Sequence, residues 1–330
     1  MSQGVVEVES QTQQIGSAVV FESADTTEQS VVFDSANNKI IIAYEDRGNS
    51  NYGTAVVGTV SGTSISFGTP VVFESAESRN VSATFDSSNN KVVIAYDDNG
   101  NSSYGTAVVG TVSGTSISFG SPVVFESADT QHIGATFDSN SNKVVIAYSD
   151  GGNSDYGTAI VGTVSGTSIS FGSAAVFESA QTARVHSTFD SSNNKVVIAY
   201  RTTTGKAAVA TVSGTSISFG TPVDFYGTQT EELDIVCDSS INKIVIAYED
   251  KGNSDNGTYI VGTISDTSIS FGASSVFASV NNSAAMGATF DSANNKIVTA
   301  YRDGDNSNYG TSVVFQPGYT DITRGQVNAG

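Results

Sequence analysis

Short apolar runs alternate with clusters of Ser, Thr, Asn, Asp and Gly along this chain, and the alternation repeats. Phe21, Phe73, Phe125, Phe177, Phe225 and Phe277 head successive copies of one unit, spaced 52, 52, 52, 48 and 52 residues apart. A period near fifty residues with several apolar runs per period points to a propeller or a solenoid. In the second copy the runs predict four strands: Val81 to Phe85, Val92 to Tyr96, Thr106 to Val112, and Ser116 to Phe125. All are rich in Val, Ile, Thr and aromatic residues. The turn Asp86 to Lys91 is dense in residues that bond their own backbone and tolerate left-handed conformations. Ser113-Gly114-Thr115-Ser116 reads as a tight hairpin, and Asp266 in the fifth copy replaces the glycine, as a positive-φ position allows.

The run VVIAY is apolar on both alternating faces, so each sheet is expected to be covered twice. Stacking sheets around an axis does this. The ends of the chain favour a closed ring over an open solenoid. The last copy carries its first three strands (Ala288 to Phe290, Ile297 to Tyr301, Thr311 to Phe315) and departs from the pattern before a fourth. Ile15 to Phe21 matches Phe67 to Phe73, a fourth strand standing ahead of the first full copy. The expected fold is all-β: a six-bladed β-propeller of four-stranded antiparallel blades over residues 1–315, closed by the N-terminal strand completing the last blade. Residues 316–330 form a non-repeat tail that suits a linker to a further region.

Phrases such as SGTSISFG, PVVFESA, TFDSSNNKVVIAY and GNSxYGTAVVGTV resemble a repeat family of tail-fibre and other virion-associated proteins of marine bacteriophages, cyanophages among them. The resemblance covers residues 12–315. It implies a receptor-binding or decorating role on a phage particle, an extracellular or virion-associated location, and other virion proteins as partners. It brings no residue-level motif. Other propeller families fit less well, because the chain has no Trp and therefore neither the Trp-ended Asp-box nor the Trp-Asp dipeptide.

Charge narrows the partners. The formal net charge of −19 disfavours nucleic acid, whose binding needs Lys and Arg to displace phosphate counterions, and disfavours anionic membranes. No apolar run is long enough to insert as a membrane helix, and MSQGVVEVES lacks the basic and apolar regions of a secretory signal. Cys237 stands where other copies carry Phe, which reads as a core substitution.

The six copies also serve as an internal comparison. Their strands barely change, whereas the segment after each heading Phe drifts: Asp25 to Gln29, Glu77 to Asn80, Asp129 to His132, Gln181 to His186, Thr228 to Glu232, and Asn281 to Ala285. This reads as the loop linking a fourth strand to the next first strand. In an antiparallel blade it emerges at the same end as the loop between the second and third strands. The turn lysines Lys39, Lys91, Lys143, Lys195, Lys243 and Lys296 fall at the opposite end. Arg47, Arg79, Arg184, Arg201, Lys206, Lys251, Arg302 and both histidines fall with the drifting segments, leaving Arg324 in the tail.

A constant scaffold presenting varied residues at one end is a common form of binding surface. The candidate ligand residues are Glu28, Arg79, Asn80, Gln131, His132, Arg184, His186, Glu231 and Glu232, with Tyr52, Tyr104, Tyr156 and Tyr309, which either stack on sugars or pin their loops. Asp46, Asp98, Asp150, Asp250 and Asp303 each follow a second-strand Tyr by two residues and open a GNS-like loop. Such oxygen-rich loops either bind calcium or are Asx-stabilised turns. The fourth copy drops the pattern for Arg201-Thr202-Thr203-Thr204-Gly205-Lys206, which is expected to leave a notch.

His132 and His186 show no evident partner at the same level of the repeat, and no nucleophile, base or offset carboxylate pair breaks the symmetry. The expected function is therefore non-enzymatic recognition of a host cell-surface glycan or protein. A structural propeller of a phage particle and a glycan-cleaving enzyme are the alternatives.

Overall fold

The computed structural model describes residues 17–280 and 283–318. Six antiparallel sheets follow one another along the chain, each built on the same register. In sheet 2 the second strand is Lys91–Asp98, the third Tyr104–Ser113, and the fourth begins as Ser116–Phe119. After a break at 120–122, the strand Val123–Asp138 continues that fourth position against the third strand. It then crosses to become the first strand of sheet 3.

That crossing corrects the expectation of a loop between sheets 1 and 2 and between sheets 2 and 3, whereas the strand breaks at Thr182, at 227–229 and after Ala278 at the later crossings. Glu77 still pairs with Tyr52 of sheet 1, and Ser78 already pairs with Asp98 of sheet 2, so Val71–Asp86 runs unbroken from one sheet to the next. Backbone groups there have ladder partners on both sides, and a loop would leave them unpaired. What the drifting residues form is a β-bulge, with a register shift between Arg79 and Ser82 that recurs at the same place in every sheet.

The turns behave as their residues demand. Asp86 Oδ1 accepts the N–H of Ser88 at 2.9 Å and of Asn89 at 3.0 Å, while Asn89 Nδ2 donates to Oδ2 at 2.8 Å. Gly114 lies at φ 62° and Asp266 at φ 56°, the left-handed conformation expected of that hairpin. Asp86 is buried, and replacing it by Ala orphans these N–H groups. Asp86→Ala is expected to cost about 2 kcal/mol in a urea titration.

The second strands are covered on both faces, with Val92 through Tyr96 fully buried. The heading Phe73 lies 5.2 Å from the ring of Tyr96 and 5.8 Å from that of Phe119. Each core unites two adjacent sheets, as Ile41 and Ala43 of sheet 1 pack with Val92 and Ile94 of sheet 2. Cys237 packs against the core of sheets 4 and 5, and burial pushes its thiol up to about 12.

Sheet 6 has three strands among the described residues: Ser283–Asp291, Lys296–Asp303 and Tyr309–Phe315. Ile15 and Gly16 of the expected closing strand lie outside the described residues, and Ser17 to Phe21 carry no strand pairing. Phe21 nevertheless takes the heading position of sheet 1, with ring centroids 5.2 Å from Tyr44 and 5.9 Å from Phe67. Phe315 stands where sheet 2 has Gly110 and stacks on Phe277 at 5.7 Å. In sheet 2, that glycine lies against the fourth-strand side chains Ile117 and Phe119, so Phe315 fills space that fourth-strand side chains fill elsewhere. Beyond Gly318 the tail is outside the described residues.

Candidate functional site

In sheets 1 to 5 the bulge places one residue of the first strand in the left-handed region. Glu28 (φ 55°), Asn80 (φ 50°), His132 (φ 52°), Arg184 (φ 53°) and Glu232 (φ 39°) occupy this position in sheets 1 to 5. Glu, His and Arg there carry backbone strain, which the ladders on either side hold in place. The next residue in each sheet is apolar in sheets 2 to 6: Val81, Ile133, Val185, Leu233 and Met286. Two places beyond the bulge stand Ser30, Ser82, Gly134, His186, Asp234 and Gly287.

The first two tiers, with His186 and Gly287 of the third, line one central cavity of about 950 Å³ that receives residues from all six sheets. Ser30, Ser82, Gly134 and Asp234 line an adjoining one of about 720 Å³. The third, lower tier stitches neighbouring sheets together. Ser30 Oγ accepts from Ala83 N at 2.9 Å, Ser82 Oγ from Ala135 N at 3.0 Å, and Asp234 Oδ2 from Ala288 N at 2.7 Å. At the upper tier Asn80 Oδ1 accepts from His132 N at 2.9 Å, and Arg184 pairs with Glu232 at 2.6 Å. The result is a cavity with an apolar waist and a polar rim on which every position differs chemically from most of the others.

Six of the expected ligand residues therefore converge: Glu28, Asn80, His132, Arg184, His186 and Glu232 all line the cavity. Burial raises the Glu28 carboxyl above its ordinary range, with Glu45 adding to it. Burial lowers His132 to about 4, helped by Arg184, Arg201 and His186. The expectation that neither histidine has a partner at its own level is corrected. His186 Nδ1 lies 3.2 Å from Asp234 Oδ1, the same repeat position one sheet on, because inward side chains of adjacent first strands meet at the axis.

The other candidates separate from this group. Glu231 turns to Arg201 and to Arg184, the latter at 3.6 Å. In sheet 4 a tight turn, closed by Thr202 N to Thr204 O at 2.9 Å, replaces the longer loop. Tyr52, Tyr104 and Tyr156 are half-buried at the start of their third strands, paired with Asp46, Asp98 and Asp150, whereas Tyr309 is exposed. Arg79 and Gln131 line a separate cleft between sheets 2 and 3.

The loop aspartates turn toward backbone N–H groups, within hydrogen-bond distance at Asp250 and Asp303 but not at Oδ1 of Asp46, Asp98 and Asp150. Asp250 Oδ1 accepts from Gly252 N at 2.9 Å, and Asp303 Oδ1 from Asp305 N and Asn306 N at 3.1 and 3.2 Å. Burial raises Asp98 and Asp150, against which the N–H groups of Gly100, Asn101, Gly152 and Asn153 pull down. Asp46 holds the equivalent place in sheet 1, just before the turn Arg47–Asn49. Among the described residues no three His, Cys, Asp or Glu side chains converge as a metal site. Dialysis against EDTA is expected to leave the melting temperature unchanged; a drop that calcium reverses would assign these loops to a metal instead.

The position directly after each second-strand Tyr was not legible as a site in its own right: Glu45, Asp97, Ser149, Arg201, Glu249 and Arg302. It varies in the midst of an otherwise constant run, and that variation was the available signal. Glu45, Asp97, Ser149 and Glu249 are buried there.

No protein-family profile matches the chain, and no curated protein matches it in sequence. Solved structures do resemble it. The BP39L lectin from Burkholderia pseudomallei aligns at 11% identity with a TM-score of 0.67, over 87% of this chain and 81% of that one. The SapL1 lectin, solved with alpha methyl fucoside, aligns at 12% identity and a TM-score of 0.52 over 88% and 93% of the two chains. A protein from Bacteroides uniformis, provisionally described as a 6-phosphogluconolactonase, aligns at 11% identity and 0.57 over 87% and 85%. At such identities the likeness is one of fold: an all-β assembly of antiparallel sheets of the kind found in β-propeller lectins. No described helix is long and apolar enough to cross a membrane.

Proposed function

We propose that the chain is a non-enzymatic carbohydrate-recognition module that engages a cell-surface glycan through the end of the molecule carrying the bulges. One observation carries this reading. Six of the residues that drift between copies, Glu28, Asn80, His132, Arg184, His186 and Glu232, are gathered around a single cavity mouth, while the turns at the other end repeat their hydrogen bonds from copy to copy. Drift scattered by tolerance alone has no reason to converge. Lectins among the structures of similar fold support it further. The phage-like repeats, in turn, suit a module displayed on a virion.

A glycan array probed with the intact protein and with Arg184→Asn tests the reading. Asn accepts the left-handed backbone at that position and removes the rim guanidinium. Binding to a subset of glycans, altered in the variant, is expected. Silence across the array would overturn it.

The same proposal takes the ring as six-bladed and closed, with residues 15–21 supplying the fourth strand of sheet 6. Support comes from Phe21 seated in the heading position of sheet 1 and from the apolar side chains Val31, Phe33 and Val314 left exposed where sheets 1 and 6 would meet. Deleting residues 1–20 is expected to lower the melting temperature and to increase binding of a hydrophobic dye.

A further inference from the structure

The cleft between sheets 2 and 3 differs from its equivalents around the ring. Its walls are Arg79, Asp97, Ser102, Ser103, Asp129 and Gln131, all polar, around about 490 Å³. Asp97 is only 3% exposed; Ser103 bonds its carboxylate, yet Oδ1 has no hydrogen-bond partner and, among the described residues, the carboxylate makes no ion pair. A buried carboxylate left this way costs stability, so the protein gains something by keeping it.

The charged equivalents described in sheets 1, 4 and 5 each have an ion-pair partner that Asp97 lacks, although Glu249 Oε1 and Arg201 Nε also have no hydrogen-bond partner. Glu45 lies 3.6 Å from Arg47 Nε, Glu249 lies 3.1 Å from Lys251 Nζ, Arg201 pairs with Glu231, and Ser149 Oγ donates to Asp155 O at 3.2 Å. In the Asp97 cleft the nearby guanidinium is committed elsewhere, since Arg79 Nη2 sits 2.6 Å from Glu77 Oε1. Gln131 Nε2 is likewise held by Asp129 Oδ2 at 2.8 Å, which presents both side chains in a set orientation. Burial raises Asp97 to about 6, with Asp129 adding and Ser103 and Arg79 opposing.

We infer that this cleft is a saccharide subsite that takes one neutral sugar unit through a vicinal diol, with Asp97 accepting from a hydroxyl and Arg79 donating to its neighbour. The chemistry excludes the other small ligands. Two carboxylates oppose an anion, the guanidinium opposes a metal cation, and the wholly polar lining gives an apolar group nothing to bury against. A polyol, whose hydroxyls both donate and accept, matches acceptors and donors set side by side. The volume lies within the range of about 300–1,000 Å³ usual for small-molecule pockets. Asn80 lines both this cleft and the central cavity, so a glycan chain has a continuous polar path between them.

The inference rests on the carbohydrate reading and adds a subsite to it. Saturation-transfer NMR with a panel of free neutral monosaccharides, among them mannose, galactose, fucose and glucose, tests it on wild type, Asp97→Ala, Arg79→Ala, Arg184→Asn and Gln181→Ala. Gln181 belongs to the next cleft and serves as a control, and thermal melts establish that each variant is folded. At least one sugar is expected to bind wild type and Gln181→Ala alike, and to lose tenfold or more in affinity with Asp97→Ala and with Arg79→Ala. Sugar binding that survives Asp97→Ala but fails in Arg184→Asn would overturn the subsite and leave the carbohydrate reading standing. The absence of any signal with wild type would overturn the subsite, whereas array binding by the same sample would keep the broader reading. Calcium added alone that raises the melting temperature of wild type but not of Asp97→Ala would overturn it in favour of a cation.

Discussion

Gly120→Ala is expected to destabilise the protein by about 3 kcal/mol, the upper end of what overpacking costs, while Gly272→Ala changes little. A Cβ on Gly120 would stand 1.8 Å from the carbonyl oxygen of Thr167 and 2.9 Å from its carbonyl carbon. Thr167 belongs to the hairpin between the third and fourth strands of sheet 3, so the outer edges of two sheets meet backbone to backbone. Neither side has a flexible group that can retreat, and the sheets would have to part. Gly68, Gly172 and Gly220 meet Thr115, Thr215 and Thr267 in the same way. Gly272 has nothing nearer than Val261 O at 3.9 Å, since among the described residues sheet 6 has no such hairpin. Urea denaturation of both variants reads the contrast. Equal losses would mean that these glycines serve backbone conformation and not the approach of neighbouring sheets.

The same contrast shows how far local sequence reports on this fold. Strand identity, the antiparallel order and the doubly buried second strand were legible because they depend on side-chain alternation within one copy. The hairpin glycine was legible because Asp266 replaces it with a residue that tolerates φ 56°. The bulge was not. Of the five residues at its left-handed position only Asn80 is of a type that favours it, and Glu28, His132, Arg184 and Glu232 are held there by the ladders on both sides. A drifting polar stretch was therefore read as a loop, although it does lie at the end of the molecule expected for it.

Asp97 was hidden for a different reason. Whether a carboxylate at that position is paired depends on which neighbour supplies a cation, and the neighbours differ: Arg47 from its own loop in sheet 1, Lys251 in sheet 5, and in sheet 2 Arg79, which pairs with Glu77 instead. Counter-ions that come from loops of varying sequence leave no periodic trace. The pairing of His186 with Asp234 was invisible likewise, since it joins two copies across the axis-facing edge and no single copy contains it.

Acidification provides the second large effect, and it isolates the rim of the cavity. His132 is held to about 4 by burial and by Arg184, Arg201 and His186, against 6.5 for the free side chain. A lowered folded pKa means that the unfolded chain binds the proton first, so the stability tied to neutral His132 is whole above pH 6.5 and drains as pH falls toward 4. The linkage amounts to about 2 kcal/mol at pH 5 and about 3 kcal/mol at pH 4 relative to neutral pH. His132→Asn keeps a residue suited to φ 52° and removes the titration. Urea titrations at neutral pH and at pH 5 are expected to show the wild type losing about 2 kcal/mol more than the variant. Parallel losses in the two proteins would place the acid sensitivity elsewhere, and would show that the cations around the rim do not act on His132 as their geometry implies. A larger loss in wild type would also make glycan binding at the rim pH-sensitive, because protonated His132 adds a third charge beside Arg184 and Arg201 and draws Glu231 and Glu232 away from their present partners.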